Sequence, residues 1–167
     1  FKGNVRDVLY VKHGDNKLKK ILVDADACPV KQEIFRIAVR LNINVVLVSN
    51  SYFKIPDHQL IKLIVVNNSF DAADDWIAEN SDKLSIVITE DILLAHRCLK
   101  KQVLAVVSSN GKEFTEENIG SAISDRAIKA DLRGGIESLQ LGNKKPYNKK
   151  DRVEFKNSLD RVIAKFK

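Results

Sequence analysis

Methionine is absent from this chain of 167 residues, cysteine occurs twice, tryptophan once and proline three times. Without an initiator methionine the natural start of the chain stays open, and nothing functional follows from it. Cys28 and Cys98 are too few for a disulfide framework and lack the paired spacing of a structural zinc site, which excludes a small stapled scaffold and fits a reducing compartment. No window approaches the ~18 consecutive apolar residues of a membrane span. Charged residues from Lys2 and Arg6 through Lys17 interrupt the stretch where a signal peptide needs an unbroken apolar run, so the expected location is the cytoplasm.

What is present describes an ordinary soluble protein, with 44% hydrophobic and 30% charged residues. The length suits one domain, expected over residues 20–167. Residues 1–19 stand apart, either as a leader or as an extra edge strand at Val8 to Val11. The net charge of +6 is placed unevenly. Residues 1–124 hold 16 basic and 16 acidic side chains, whereas residues 125–167 hold 12 and 6. A basic C-terminal segment beside a neutral body is either a polyanion footprint or a solvated helical face.

Short β-branched runs alternate with helical patterns from Ile21 to about Ser108, the signature of βαβ units and a parallel sheet. Strands are expected at Lys20 to Asp24, Asn44 to Ser49, Ile61 to Val66, Leu84 to Thr89 and Val103 to Ser108. Helices follow the first, third and fourth of these, marked by Ile34, Ile37, Ala38 and Leu41, by Ala73, Trp76 and Ile77, and by Leu93, Leu94 and Cys98. A further helix opens near Thr115 and is expected to end at about Leu132, where Gly134 and Gly135 follow. A polar linker from Gly142 to Lys150 then leads to a closing amphipathic helix with Phe155, Leu159, Val162 and Phe166 on one face. The fold class is therefore α/β, with a helical C-terminal segment and a mainly parallel five-stranded sheet. Right-handed crossovers give it the strand order 3-2-1-4-5.

That order makes strands one and four neighbours at the switch point where ligands bind in such sheets. Asp24 and Asp26 stand at and just past the end of strand one, and a period of two sends both carboxylates the same way. Asp91 lies just past strand four. Phe70-Asp-Ala-Ala-Asp-Asp-Trp76 opens a helix at the same edge, with Asp71 as its expected cap and Asp74 and Asp75 in its first turn. Two like charges ~4 Å apart repel by about 4 kcal/mol at an effective dielectric near 20, so several ionised aspartates in one crevice call for a cation or protons. An all-oxygen donor set suits Mg²⁺ or Mn²⁺. Singly, each aspartate has a plainer role as helix cap or dipole partner; the convergence of separate segments is what points to metal. Glu90 is expected to face away from Asp91 into solvent. His58, His96 and Cys98 read as packing residues, and Cys28 as a small buried residue in preference to a reactive thiol.

With these residues placed, the sequence resembles the YaiI/YqxD family of bacterial proteins, whose fold is assigned to the PIN-like metal-dependent nucleases. The likeness rests on Val23-Asp-Ala-Asp-Ala-Cys-Pro29, Phe70-Asp-Ala-Ala-Asp74, Ile88-Thr-Glu-Asp91, Asn110-Gly111 with Phe114 to Ile119, Pro146-Tyr147 with Asp151-Arg152, and Leu159-Asp160-Arg161. It implies a Rossmann-like (PIN-like) three-layer sandwich and acidic residues holding Mg²⁺ or Mn²⁺ for phosphodiester hydrolysis. Carried onto this chain, Asp24, Asp26 and Asp91 would be catalytic, and the same three with Asp74 and Asp75 would hold metal.

The leading expectation is a nuclease or phosphodiesterase acting on RNA through metal-activated water. Ser49, Asn50 and Asn110 border the crevice as phosphate ligands, with Arg126, Lys129, Arg133, Lys144, Lys145, Lys149 and Lys150 along the nucleic-acid backbone. The alternative is a haloacid dehalogenase-type phosphatase, in which Asp24 is the nucleophile and Asp26 the general acid and base. No convincing lysine motif supports that second scheme. A third reading is a module that binds nucleic acid without cutting it.

Overall fold

The computed structural model describes residues 18–26, 28–136 and 146–166, with backbone alone for 130–136. Its strands are β1 (Lys20–Asp24), β2 (Asn44–Ser49), β3 (Ile61–Val65), β4 (Ser85–Ile88), β5 (Ala105–Val107) and β6 (Glu113–Phe114). Its helices are α1 (Lys31–Leu41), α2 (Ala72–Asn80), α3 (Ile92–Lys100), α4 (Glu116–Ile136) and α5 (Lys149–Phe166). The sheet order is β3-β2-β1-β4-β5-β6, with the first five strands parallel and β6 antiparallel to β5. The expected order therefore holds, extended by one short strand.

Alternation along the central strands divides the interior into two cores. Ile21 and Val23 of β1, Val45 and Leu47 of β2, and Ile86 and Ile88 of β4 face α1 and α5, where they meet Ile34, Ile37, Phe155 and Leu159. Leu22, Val48, Val87 and Val106 face the other way, onto Ile77 of α2, Leu94 and Cys98 of α3, and Ile119 of α4. Burial on both faces is why these strands read as unbroken apolar runs. The closing helix buries Phe155, Leu159, Val162 and Ile163 as its spacing predicts, with Phe166 half-buried.

Local chemistry sets the ends of the elements. Asn42, in the left-handed region at φ 58°, ends α1. Asn148 and Asp151 cap α5 reciprocally, each side chain accepting the other's backbone N–H, at 3.0 and 3.1 Å. Gly111, at φ +90°, makes the turn between β5 and β6, and a Cβ there would stand 2.8 Å from the Glu154 carbonyl oxygen. Its own carbonyl accepts the Ser158 hydroxyl at 2.7 Å, so the turn is seated directly on α5.

Two expectations need correcting, the end of α4 and the number of strands. The helix α4 does not stop before Gly134 and Gly135 but runs through both to Ile136, since glycine costs a helix only about 1 kcal/mol relative to alanine. The strand β6 escaped notice because two residues carry no readable period. The expected leader falls outside the described residues except for Leu18 and Lys19. Leu18 is buried in the first core, and its N–H donates to the Phe166 carbonyl at 3.3 Å. Among the described residues no helix is long and apolar enough to cross a membrane.

Candidate functional site

The parallel register pairs Val23 with Ile88, so Asp24 and Thr89 leave the sheet side by side. The Thr89 hydroxyl donates to Asp24 Oδ2 at 2.9 Å and accepts the Asp91 N–H at 3.0 Å, which fixes the ends of β1 and β4 to each other. Asp91 is the N-cap of α3. Its Oδ1 accepts the N–H groups of Leu93 and Leu94, at 2.9 and 3.1 Å. Two residues beyond Asp24, exposed Asp26 accepts the Ser49 hydroxyl at 2.6 Å and the Asn50 N–H at 3.1 Å through Oδ1.

Asp74 reaches this edge from the first turn of α2. Burial pushes its carboxyl up to about 7, helped by the charges of Asp91 and Asp24, a hydrogen bond with Asp91, and the charge of Asp71. Asp24 is raised as well, by burial first; the Thr89 hydroxyl works against the rise, and Asp26, Asp91 and Glu90 add to it. Chain segments from β1, α2 and the β4–α3 junction thus bring Asp24, Asp74 and Asp91 into one electrostatic group. Asp26, Asp71 and Glu90 stand at its margin. Among the described residues, no three or more His, Cys, Asp or Glu side chains are already arranged to hold a metal ion. The donors just named explain this: Asp24, Asp26 and Asp91 are turned onto hydroxyl and amide groups, and Asp74 is hydrogen-bonded to Asp91.

The remaining expected residues are dispersed. Asp75 points elsewhere and pairs with Arg97 at 3.0 Å, because successive helical residues do not share a face. Asp71 occupies the N-cap of α2 but makes no side-chain cap bond. Ser49 is buried, and its hydroxyl donates to Asp26, so in this structure it supports a carboxylate. The Asn50 side-chain oxygen is buried without a protein hydrogen-bond partner. Asn110 Oδ1 accepts the Ser108 hydroxyl and the Lys112 N–H, bonds that belong to the β5–β6 turn. Arg126 and Lys129 are exposed on α4, and Lys149 and Lys150 on α5. Arg133's side chain and residues Lys144 and Lys145 lie outside what the structure describes.

Glu90 is exposed as expected, yet it is held. Its Oε2 accepts both the N–H and the hydroxyl of Ser109, the latter at 2.7 Å. The Ser109 carbonyl accepts the Tyr147 hydroxyl at 2.8 Å, and Arg152 lies 5.2 Å from the Tyr147 ring centroid. Arg152 also donates to the Pro29 carbonyl at 2.8 Å, tying the C-terminal helix to the loop after β1. Thr89, Ser109 and Tyr147 are the supports that sequence reading passed over. For Thr89 a signal existed, since an order placing strand four beside strand one puts it opposite Asp24.

Burial pushes the Cys28 thiol up to about 11, so at neutral pH it remains protonated, in keeping with its reading as a small core residue. Two clefts open elsewhere. One of about 360 Å³ lies between α1 and α5, and one of about 510 Å³ lies between the β5–β6 turn and α5. The first is rich in arginine, but Arg40 is paired with Asp160, and both Arg36 and Arg152 with Glu33. Cleft size is a poorer guide here than the acidic edge, where charge is crowded instead of neutralised.

Residues 22–165 match the family model described as "Uncharacterized BCR, YaiI/YqxD family". A UPF0178 protein of Sphingopyxis alaskensis is 52% identical over 147 residues, covering 88% of this chain and 94% of the relative. One from Rhodospirillum centenum is 47% identical over 145 residues, covering 86% and 94%. Another, from Jannaschia, is 44% identical over 147 residues, covering 88% and 94%. Among solved structures, a UDP-N-acetylglucosamine 4-epimerase from Bacillus cereus aligns over 89% of this chain and 49% of its own at 11% identity. Its TM-score of 0.35 is too low to bear on fold or function.

Proposed function

The chain belongs to the YaiI/YqxD family, and from that premise and the acidic edge we propose that it is a divalent-metal-dependent phosphodiesterase acting on RNA. The observation that carries the reading is the meeting of Asp24, Asp74 and Asp91 at one edge, where burial first and the neighbouring carboxylates after it push Asp74 up to about 7. A group of carboxylates this close is relieved by protons or by a cation, and an all-oxygen set is chemically suited to Mg²⁺ or Mn²⁺. Asp24, Asp74 and Asp91 would hold the ion, with Asp26 beside them, while Asp75 is spent on Arg97. When bound, such an ion supplies Lewis acidity toward a phosphate oxygen and lowers the pKa of water.

The chain's own groups supply orientation. Thr89 holds Asp24 and the Asp91 backbone in one geometry. Capping α3 directs Asp91, and Ser49 with the Asn50 amide directs Asp26. No protein nucleophile is required, and Cys28, protonated at neutral pH, is unsuited to be one. RNA is favoured as substrate by the PIN-like resemblance and by the basic balance of residues 125–167.

The test is calorimetric titration of Mn²⁺ and Mg²⁺ into wild type and Asp24→Asn, with cleavage of short RNA and DNA and turnover of p-nitrophenyl phosphate measured alongside. The expected result is metal binding and RNA cleavage in wild type, with cleavage reduced at least ~100-fold in Asp24→Asn, about 2.7 kcal/mol of transition-state stabilisation. Turnover of the monoester alone, with a phosphoaspartate trapped at Asp24, would replace this reading by the dehalogenase-type phosphatase. Salt-sensitive RNA binding that survives Asp24→Asn and Asp91→Asn, without cleavage in any metal, would leave a binding module.

A further inference from the structure

Four of the seven large apolar side chains left exposed among the described residues follow the carboxyl ends of strands: Tyr52 past β2, Val65 and Phe70 at and past the end of β3, and Leu93 in the first turn of α3. Val39, Ile128 and Val153 lie on α1, α4 and α5. Phe70 is 96% exposed and Tyr52 77%, whereas every other phenylalanine among the described residues is buried or half-buried. The ends of β2 and β3 are adjacent, since Ser49 pairs with Val65 and the Val66 N–H donates to the Ser49 carbonyl. Tyr52 therefore leaves the sheet three residues after the hydroxyl that holds Asp26. Phe70 leaves it directly before Asp71 and one helical turn before Asp74. Both residues follow the carboxyl ends of β2 and β3, the strands that lie on one side of β1 in the sheet.

We propose that Phe70 and Tyr52 are stacking platforms for unpaired bases, so that the substrate of this edge is single-stranded RNA. Asn67, Asn68, Ser69 and Asp71 around Phe70 are all exposed polar residues. Tyr52, Val65, Phe70 and Leu93, set among such neighbours, are far fewer than the ~20–30 residues a side of a stable protein interface. One free π-face is, however, what a single base requires, and stacking tolerates any base sequence. In a duplex both faces of each base are already covered by their neighbours, so the rings select unpaired strand. Asn67 and Asn68, three and two residues before Phe70, are exposed amide side chains of the kind that hydrogen-bond base edges. The inference takes its chemistry from the phosphodiesterase reading; its binding claim stands separately.

The experiment is fluorescence anisotropy of a labelled ten-nucleotide single-stranded RNA and of the same RNA as a duplex, in Ca²⁺, with wild type, Phe70→Ala, Phe70→Leu, Phe70→Trp and Tyr52→Ala. Wild type is expected to prefer the single strand by at least ~10-fold. Phe70→Ala and Phe70→Leu should each weaken it by roughly 5- to 100-fold, Tyr52→Ala by a similar or smaller factor, and Phe70→Trp should restore it. The proposal is overturned if Phe70→Leu or both alanine variants bind as tightly as wild type, if duplex binds equally well, or if wild type binds no single strand. Sedimentation showing a wild-type dimer that Phe70→Ala dissolves would assign the ring to a second copy and overturn it too. Stacking-dependent binding with no cleavage in Mn²⁺ would remove the phosphodiesterase reading and leave this one standing. Cleavage without strand preference would do the reverse.

Discussion

The two edges of the sheet treat a carboxylate in opposite ways. At the amino edge, Asp82 precedes β4 beside the first residue of β1 and collects donors: the Leu84 N–H at 2.9 Å, the Ser85 hydroxyl at 2.9 Å and the Lys20 ammonium at 3.5 Å. Burial alone would raise Asp82, but these donors outweigh it and hold its carboxyl below the ordinary range. At the carboxyl edge, Asp74 has burial and three other aspartates for company, and its carboxyl is pushed up to about 7. A carboxylate that serves the fold is given protons by its neighbours; one that is denied them is kept ready for a partner from outside. The acidic edge thus carries a local cost to stability that the amino edge avoids.

Asp74→Asn should show the largest consequence of that contrast. A folded pKa raised from 3.8 to about 7 contributes stability that is fully present below pH 3.8 and lost as pH rises through about 7. Replacing the carboxyl with an amide should therefore leave stability little changed at pH 4 and raise it at pH 8. The gain is expected to be on the order of 1 kcal/mol once solvent screening is allowed for, read by urea denaturation at the two pH values. Mn²⁺ should stabilise the wild type at pH 8 and the variant far less. A variant no more stable than wild type at pH 8 would show that the aspartates do not repel one another as their placement implies.

Asp82→Asn should act in the opposite sense and more weakly. A folded pKa lowered below 3.8 contributes stability that is present above 3.8 and lost as pH falls through the folded value. The variant is expected to be less stable by under about 1 kcal/mol at pH 7, since the side chain is half exposed, and to lose less stability than wild type on acidification below pH 4. Asp75→Ala should be the mildest change. Its pair with Arg97 is exposed and worth about 0–0.5 kcal/mol, and metal response should match wild type within error. A lost metal response would return Asp75 to the candidate ligands.

Much of this was readable beforehand because it depends on local pattern. The β-branched runs marked β1 and β2 to the residue, and crossover handedness then ordered five strands and set Asp24 beside Asp91. Other features were hidden for identifiable reasons. The pair Asp75–Arg97 joins two helices, and from sequence Asp75 is indistinguishable from Asp74, its neighbour on the same turn. The chain from Glu90 through Ser109 to Tyr147 spans residues far apart in sequence, so no spacing announces it. Ser49 lies at the edge as its position predicts, but its partner, Asp26, was not legible, because a hydroxyl's partner depends on which carboxylate is within 3 Å.

By itself the sequence determined the layers, the strand order and the edge at which acidic residues would meet, since periodicity and chain handedness act over a few residues at a time. Tertiary structure alone decided which carboxylates crowd together, which are given donors, and which aromatic rings remain in water. Those outcomes depend on distances between segments that share no local signal, and electrostatic and hydrogen-bond energies change steeply over such distances.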